Sequence, residues 1–340
     1  MRPSPTARFD AADSNPATTR LRSGSVTYDW KALAPTRPLT MAEIDDEHPL
    51  YVPREGEGAL EIDSLLTAGM DQPIALYGAA GAGKSTELAA LARLRARRSV
   101  VGVLVQLDRA LAYSDRTSPD DVLETIARGL IVLAIDKLRL DLSPVLASAA
   151  GKQTTGPVLQ RPNGFDLLLA AVREVAVRNA RGRVELFVDG LEKASGELAR
   201  RTLANLERLR GEAHVVVVVP TATATGPDAI TLNDFHVVSI GAVPVSASVE
   251  AWTSQQPTPG DRFLFEVATR RLGVAPENLG KEPWDTTALA LRHCVVLSGG
   301  LVRTALQLLQ KAALYASMRG QGPRGSLRRR LATLDTRLEP

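Results

Sequence analysis

The stretch Gly78-Ala79-Ala80-Gly81-Ala82-Gly83-Lys84-Ser85-Thr86 decides the fold, because it fits the pattern G-x-x-x-x-G-K-[ST] at every defined position. Glycine reaches backbone conformations that are closed to residues with a Cβ, so successive N–H groups can turn inward around phosphate oxygens. In this pattern Lys84 is expected to reach the β- and γ-phosphates of a nucleotide, and the Ser85 hydroxyl to hold Mg²⁺. The stretch therefore predicts a phosphate-binding loop, and all nine of its residues are candidate nucleotide contacts.

The segments on either side of this loop favour the same prediction. Pro73-Ile74-Ala75-Leu76-Tyr77 is a short apolar run that predicts a buried strand. The residues from Thr86 to Leu94 are rich in good helix formers. A strand, a glycine-rich loop and a helix form the arrangement that the pattern needs, since the N-terminus of the helix then faces the phosphates.

Composition narrows the class of protein. The 340-residue chain is 44% hydrophobic but only 4% aromatic, so aliphatic side chains must fill its core. Its formal net charge of +3 is small for this length and gives no strong indication of nucleic-acid binding. The single cysteine, Cys294, excludes an internal disulfide and a multi-cysteine metal site. No apolar run is long enough to span a bilayer and no secretory signal begins the chain, so we expect a cytoplasmic protein without membrane contact.

The order of the predicted elements divides the chain into three parts. Residues 1–40 carry prolines, serines and arginines without periodicity, which predicts a disordered arm. Residues 41–245 contain five strand-like apolar runs separated by helical stretches, which predicts an α/β core, with a loop over 142–163. Residues 246–340 show only helical patterns, which predicts a helical lid.

A carboxylate ends the third predicted strand, Val184-Glu185-Leu186-Phe187-Val188-Asp189. We expect Asp189, at the carboxyl end of a parallel strand, to lie beside the phosphate-binding loop and to orient Mg²⁺ together with Ser85. Glu192 follows three residues later and is a candidate for polarising an attacking water molecule. An exposed acid at the start of a helix is the alternative interpretation of Glu192.

These motifs resemble those of AAA+/STAND-type P-loop ATPases, within the ASCE division of P-loop NTPases. The resemblance covers about residues 45–318, and it rests on Gly-Lys-Ser-Thr-Glu-Leu at 83–88, Val-Asp-Gly-Leu-Glu-Lys at 188–193, and Ser298-Gly299-Gly300 followed by Arg303. It implies a five-stranded parallel sheet in the order 5-1-4-3-2, flanked by helices, with a C-terminal helical lid. It also implies ATP and Mg²⁺ as ligands.

The resemblance suggests nucleotide contacts outside the loop. In such ATPases a segment placed like Tyr51-Val52-Pro53-Arg54 packs against the adenine, so Tyr51 and Arg54 are candidate contacts; an ordinary cap on the sheet is the alternative. After the fourth strand, Thr221 or Thr223 would take the sensor 1 position that faces the γ-phosphate.

Arg303 is the third candidate catalytic residue, with Lys84 and Glu192. The resemblance places it just inside a helix of the lid, from which its side chain would reach back to the phosphates. A surface arginine is the alternative.

Two departures from the family pattern bear on catalysis. A glutamate usually follows the Walker B aspartate directly, and here Gly190 takes that position. No arginine occurs from Gly211 through Asp261, the interval that would hold an arginine finger or a sensor 1 arginine. Catalysis in trans would then require one of the arginines just before that interval, namely Arg200, Arg201, Arg208 or Arg210.

Three functions fit these residues. The first is a slow, Mg²⁺-dependent ATPase that works as a switch controlled by ATP and ADP, acting on a partner protein or on self-assembly. The second is a non-hydrolysing ATP-binding scaffold, which Gly190 and the missing arginine favour. The third is a DNA-associated ATPase, weakly supported by Arg328-Arg329-Arg330, since a solvated charge run is the simpler interpretation.

Overall fold

The structure is a computed structural model, and it describes residues 38–40, 43–44, 50–98, 100–151, 162–179, 183–254, 256–272 and 285–318. Most of the predicted N-terminal arm lies outside these residues. So do the helix predicted over 327–338 and its charge run Arg328-Arg329-Arg330. The three-part division of the chain therefore stays a prediction.

Five parallel strands form the central sheet, in the order β2-β3-β4-β1-β5. They are β1 Ile74–Tyr77, β2 Gly102–Gln106, β3 Val184–Asp189, β4 Ala213–Val218 and β5 His236–Ser239. From the other edge the order is 5-1-4-3-2, so the predicted fold class and strand order are confirmed. Because β1 lies between β4 and β5, the loop that follows β1 leaves the sheet between these two strands.

The helices of this region follow the strands in chain order. They are α1 Ala59–Thr67, α2 Lys84–Arg97, α3 Leu107–Ala110, α4 Pro119–Asp136, α5 Pro144–Ala149, α6 Gly164–Asn179, α7 Gly196–Glu207 and α8 Thr221–Thr225, with 3₁₀ helices at Leu191–Lys193 and Pro227–Leu232. Helices α4, α6 and α7 bury their apolar sides on one face of the sheet, and α1 and α2 on the other. In β4, Val215 and Val217 belong to the first of these cores and Val216 and Val218 to the second. Two covered faces explain why the strands are continuous apolar runs.

The starts of α4 and α5 follow from local sequence. Ser118 and Asp121 form a reciprocal capping box at the first turn of α4. The prediction of a loop over 142–163 was wrong at α5, where Pro144 takes the first helical turn and Leu146 is buried. A helix of six residues is too short to show a helical period in its sequence, which is why the pattern did not reveal it.

Helices also follow the sheet, in the described parts of residues 246–318. They are α9 Val249–Ser254, α10 Pro259–Arg271, α11 Asp285–Leu297 and α12 Val302–Met318. Val267, Leu291 and Leu306 join α10, α11 and α12 in one apolar cluster, and Val52 from the segment before α1 packs into it. No helix within the described residues combines the length and the apolar character needed to cross a membrane.

Candidate functional site

Two glycines give the loop between β1 and α2 its tight course. A Cβ on Gly78 would fall 1.9 Å from the carbonyl oxygen of Ile240, in the chain that leaves β5. Gly83 has a φ of 108°, in the left-handed region that favours glycine, and directly precedes α2. The loop therefore wraps closely around the start of α2, whose first-turn N–H groups have no partner within the helix. Such a helix start is a favourable position for an anion.

Lys84 folds back over this loop. Its Nζ donates hydrogen bonds to the carbonyl oxygens of Gly78 at 2.8 Å and Ala79 at 3.2 Å. The pKa of Lys84 is lowered overall, because burial outweighs the opposing effect of the negative charges of Glu192 and Asp189. A phosphate group would supply the full countercharge that the two carbonyl partners cannot give.

Ser85 and Asp189 meet beside the loop. Ser85 Oγ donates a hydrogen bond to Asp189 Oδ1 at 3.1 Å. Asp189 ends β3, which β4 separates from β1. Burial raises the pKa of the Asp189 carboxyl, the hydrogen bond from Ser85 opposes that rise, and the nearby charge of Asp108 adds to it. A hydroxyl and a buried carboxylate in need of positive charge are hard oxygen donors of the kind that Mg²⁺ prefers.

Glu192 lies at the same cavity wall, in the 3₁₀ helix that follows Gly190. Its Oε2 atom is buried and has no hydrogen-bond partner among the described residues. Burial raises the pKa of Glu192, and the charge of Asp189 raises it further. An unsatisfied carboxylate oxygen at a cavity wall fits a group that binds and orients a water molecule.

The structure distinguishes between the two threonines after β4. Thr221 Oγ1 donates to the carbonyl oxygen of Gly78 at 3.1 Å, and Thr221 lines the cavity. Thr223 is buried and does not line the cavity. Of the two candidates for the position facing the γ-phosphate, the structure brings only Thr221 to the loop.

The start of α12 rests directly on the loop. The backbone N–H of Arg303 donates to the carbonyl oxygen of Gly81 at 3.1 Å, and a Cβ on Gly81 would fall 2.8 Å from the Cβ of Arg303. The exposed side chain of Arg303 lines the cavity, and its charge lowers the pKa of Lys84. The C-terminal helices therefore contact the phosphate-binding loop through both backbone and side chain.

A cavity of about 670 Å³ opens over these groups. That volume lies within the range of roughly 300–1,000 Å³ typical of small-molecule sites. Its charged lining comprises five basic residues, Lys84, Arg109, Lys193, Arg271 and Arg303, and three acidic ones, Asp108, Asp189 and Glu192. The surplus of positive charge favours an anionic ligand.

Four of these charged residues were not found by sequence reasoning. Asp108 and Arg109 come just after β2, Lys193 forms an ion pair with Asp108, and Arg271 ends α10. Ligands bind at the carboxyl ends of parallel strands, so this rule could have found Asp108. Lys193 ends the stretch Val-Asp-Gly-Leu-Glu-Lys but was not considered as a site residue. Arg109 and Arg271 belong to no motif, and only the folded chain brings them to the cavity.

Tyr51 and Arg54, the candidate adenine contacts, do not line the cavity. Tyr51 donates from its hydroxyl to Glu87 Oε2 at 2.9 Å, on the other side of the loop. Arg54 is buried and donates to the carbonyl oxygens of Gly241 and Ala82. The adenine role of both residues stays a prediction, and the structure gives them partners within the protein.

The four arginines considered for catalysis in trans lie away from the cavity lining. Arg200 and Arg201 pair with Glu197 on the exposed side of α7. The other two also have partners: Arg208 lies over the ring of Phe165, and Arg210 faces Asp71.

No protein-family model and no curated protein sequence matches the chain. Among solved structures, a Walker-type ATPase of Pyrococcus abyssi is similar with a TM-score of 0.45 and 14% sequence identity, over 88% of this chain and 80% of that chain. This likeness is too distant to carry an argument. What the chain does must be inferred from its own site.

Proposed function

We propose that this protein binds ATP with Mg²⁺ and hydrolyses it slowly, as a switch whose C-terminal helices respond to the nucleotide. One observation carries the proposal: Lys84, Ser85, Asp189 and Glu192 converge on one cavity above a glycine-rich loop. Lys84 has only neutral carbonyl partners, and Glu192 keeps an unsatisfied carboxylate oxygen. A nucleoside triphosphate with Mg²⁺ and a water molecule would supply partners for both.

The basic residues give the cavity its affinity for phosphate. Lys84 would exchange its two carbonyl partners for phosphate oxygens, which are stronger, charge-assisted acceptors. Ser85 and Asp189 would hold Mg²⁺, whose charge neutralises the oxygens of the β- and γ-phosphates. Thr221, fixed on the Gly78 carbonyl, would lie close to the terminal phosphate.

Glu192 would act on the attacking water. Its unsatisfied Oε2 can accept a hydrogen bond from a water molecule and then its proton. Because burial and Asp189 raise its pKa, a larger share of Glu192 is protonated near neutral pH than is usual for a glutamate.

Three arginines of the same chain reach the cavity, which supports catalysis without a second subunit. Arg109, Arg271 and Arg303 can each meet charge that develops on the transferred phosphate. A switch needs to hydrolyse ATP only as fast as its signal changes. An arginine from the same chain is therefore sufficient for its catalysis.

A non-hydrolysing ATP-binding scaffold is the second candidate. Gly190 stands where a catalytic glutamate usually follows the aspartate, and the pKa of Glu192 is raised by burial. A protein in which Glu192 stays protonated would bind ATP without cleaving it. The described residues add nothing in favour of a DNA-associated ATPase, and Arg328-Arg329-Arg330 lies outside them.

The test is ATP binding and phosphate release by the full chain with and without Mg²⁺. We expect Lys84→Ala to weaken ATP binding by about a hundredfold, since it removes charge-assisted hydrogen bonds to phosphate. Lys137→Ala, which removes an exposed lysine after α4, is the matched control and should bind like the wild type. Equal affinity in wild type and Lys84→Ala would overturn the proposal. Tight binding with no phosphate release would favour the scaffold, and light scattering with and without ATP would show self-assembly.

A further inference from the structure

Arg54 lies at a buried junction of three segments: the phosphate-binding loop, the chain that leaves β5, and the C-terminal helices. Only 4% of the residue is exposed. Its guanidinium donates to the carbonyl oxygen of Ala82 in the loop and, at 3.0 Å, to that of Gly241 after β5. It also lies over the ring of Phe263 on α10, 5.3 Å from the ring centre. One side chain thus contacts three elements that are far apart in sequence.

The bond to Ala82 fixes one peptide unit of the loop. In a trans peptide the carbonyl of one residue and the N–H of the next point in opposite directions. While Arg54 holds the Ala82 carbonyl, the N–H of Gly83 must point away from the guanidinium. Gly83 lines the cavity, so the peptide unit that Arg54 holds forms part of the wall where phosphate would bind.

The negative partner of Arg54 is Glu87, one turn into α2. The Arg54 Nε lies 3.5 Å from Glu87 Oε1, and both side chains are almost fully buried. Glu87 Oε2 accepts hydrogen bonds from the Tyr51 hydroxyl and from the N–H of Ala59 at the start of α1. The junction is therefore anchored on α1 and α2 and cannot shift independently of the loop.

The same junction is attached to the C-terminal helices. Arg270 of α10 donates to the carbonyl oxygen of Tyr51 at 2.6 Å, and Val52 packs among α10, α11 and α12. With the Phe263 ring beneath Arg54, movement of α10 would displace the guanidinium. A displaced guanidinium would release the Ala82 carbonyl. The N–H of Gly83, in the same peptide unit, would then no longer be held in one direction.

We propose that Arg54 is a positioning residue that sets the phosphate-binding loop in its binding shape and couples that shape to the C-terminal helices. This inference rests on the proposed function and differs from an adenine contact, because Arg54 acts here through the loop backbone. Its planar fork reaches two carbonyls at once, which the single ammonium of a lysine cannot do in the same geometry. Substitution by lysine therefore keeps the charge that faces Glu87 but loses part of the clamp.

The test compares ATP with AMP, because the two share adenine, ribose and the α-phosphate but only ATP carries the β- and γ-phosphates that the loop would hold. Affinities are measured by competition against a fluorescent ATP analogue. In Arg54→Lys we expect the ATP affinity to fall about tenfold and the AMP affinity to stay near that of the wild type. A parallel fall for ATP and AMP would overturn the inference in favour of an adenine contact, and unchanged affinities would reduce Arg54 to a structural residue.

Arg95→Lys is the matched control for lost stability. Arg95 is also buried and ion-paired, but near the other end of α2, with Glu185 and Asp63 as partners. Its substitution should lower the melting temperature at least as much as Arg54→Lys does, while the ratio of ATP to AMP affinity stays that of the wild type. A similar change of this ratio in both variants would contradict a specific role for Arg54.

Phe263→Leu tests the coupling from the helix side and remains informative if Arg54→Lys fails to fold. Phe263 does not line the cavity, and leucine keeps an apolar side chain at the position. Loss of the ring beneath the guanidinium should weaken ATP binding by about two- to fivefold and leave AMP binding unchanged. Wild-type ATP affinity in this variant would contradict the coupling. If wild type and Lys84→Ala bind ATP equally, the proposed function itself fails, which is a different result from any of these.

Discussion

Both ends of strand β3 hold buried charged side chains, but the two groups differ in how fully they are paired. At the start of the strand, Glu185 accepts a hydrogen bond of 2.6 Å from Arg95, which also donates to Asp63 at 3.2 Å. At its end, Asp189 has the Ser85 hydroxyl for a partner, and the nearby Glu192 keeps an unsatisfied oxygen. The same strand thus begins in a charge cluster that is paired and ends in one that is incomplete.

This difference separates a structural cluster from a candidate binding site. Burying a charge is favourable only when partners compensate for lost hydration. Arg95, Glu185 and Asp63 compensate one another, so nothing further needs to bind there. Burial raises the pKa of Asp189 and Glu192 and lowers that of Lys84. An anionic phosphate would compensate Lys84, and a cation would compensate the two carboxylates.

The largest effect should come from Glu192→Gln. Glutamine fills the same space but cannot accept the proton of water, so phosphate release should fall about a thousandfold while ATP still binds. Single-turnover phosphate release measures this, with Glu197→Gln on the exposed side of α7 as the control. In the wild type the rate should rise with pH through the raised pKa of Glu192, because only the ionised form is a base. Wild-type turnover in Glu192→Gln would show that another group activates the water.

At the paired end, Glu185→Gln should cost stability but not nucleotide affinity. The substitution removes the shorter of the two buried carboxylate contacts of Arg95 and leaves Asp63 to compensate its charge, which should cost about 3 kcal/mol of the free energy of unfolding. Urea unfolding measures the loss, and ATP affinity of the folded fraction provides the second readout. A loss of ATP affinity without a loss of stability would reverse the roles of the two ends.

Asp189→Asn should raise the stability of the protein, whereas Glu185→Gln should lower it. Burial raises the pKa of Asp189 above its value in the unfolded chain, so its ionised form at neutral pH costs stability, a cost that disappears as the pH falls below the ordinary aspartate range. Asparagine removes the charge and can still accept the hydrogen bond from Ser85. In the absence of nucleotide we expect the melting temperature to rise by about 1–2 °C, while the effect of Mg²⁺ on ATP affinity is lost. Marked destabilisation would mean that Asp189 is already compensated.

The smallest effect should come from His214, which lies opposite Glu185 in the sheet. Burial lowers the pKa of His214, so the unfolded chain takes up the proton first as the pH falls. Acidification below the ordinary histidine pKa should therefore destabilise the protein, by less than about 1 kcal/mol for this group. Unfolding measured from pH 7.5 to 5.5 should show a shallower pH dependence in His214→Gln. An unchanged slope would assign the pH dependence to other groups.

Local patterns predicted the sheet and the loop because each depends on neighbouring residues. The apolar runs identified the strands, and the spacing of glycines with Lys84 and Ser85 identified the loop. The capping box that the structure shows at Ser118 is equally local, since it acts over three residues. The order of strands came from the family resemblance, and the sheet confirms it.

The partners of Arg54 could not be predicted in this way. They include backbone carbonyls 28 and 187 positions away, and a carbonyl carries no sequence signal. The positions of Arg109 and Arg271 could not be predicted either, because only tertiary packing brings them to the cavity. Sequence reasoning thus found the candidate binding and catalytic residues, which lie in motifs, and missed the residues that only packing brings to them.

Through the contact between Arg303 and Gly81, the first turn of helix α12 rests on the phosphate-binding loop. Helix α12 has 17 residues, which corresponds to a length of about 25 Å. A tilt of about 5° at the loop would therefore swing its far end by about 2 Å. Leu314 and Tyr315, whose side chains are about half exposed, lie near that end. A rearrangement too small to change the cavity noticeably would thus displace two large apolar side chains on the protein surface.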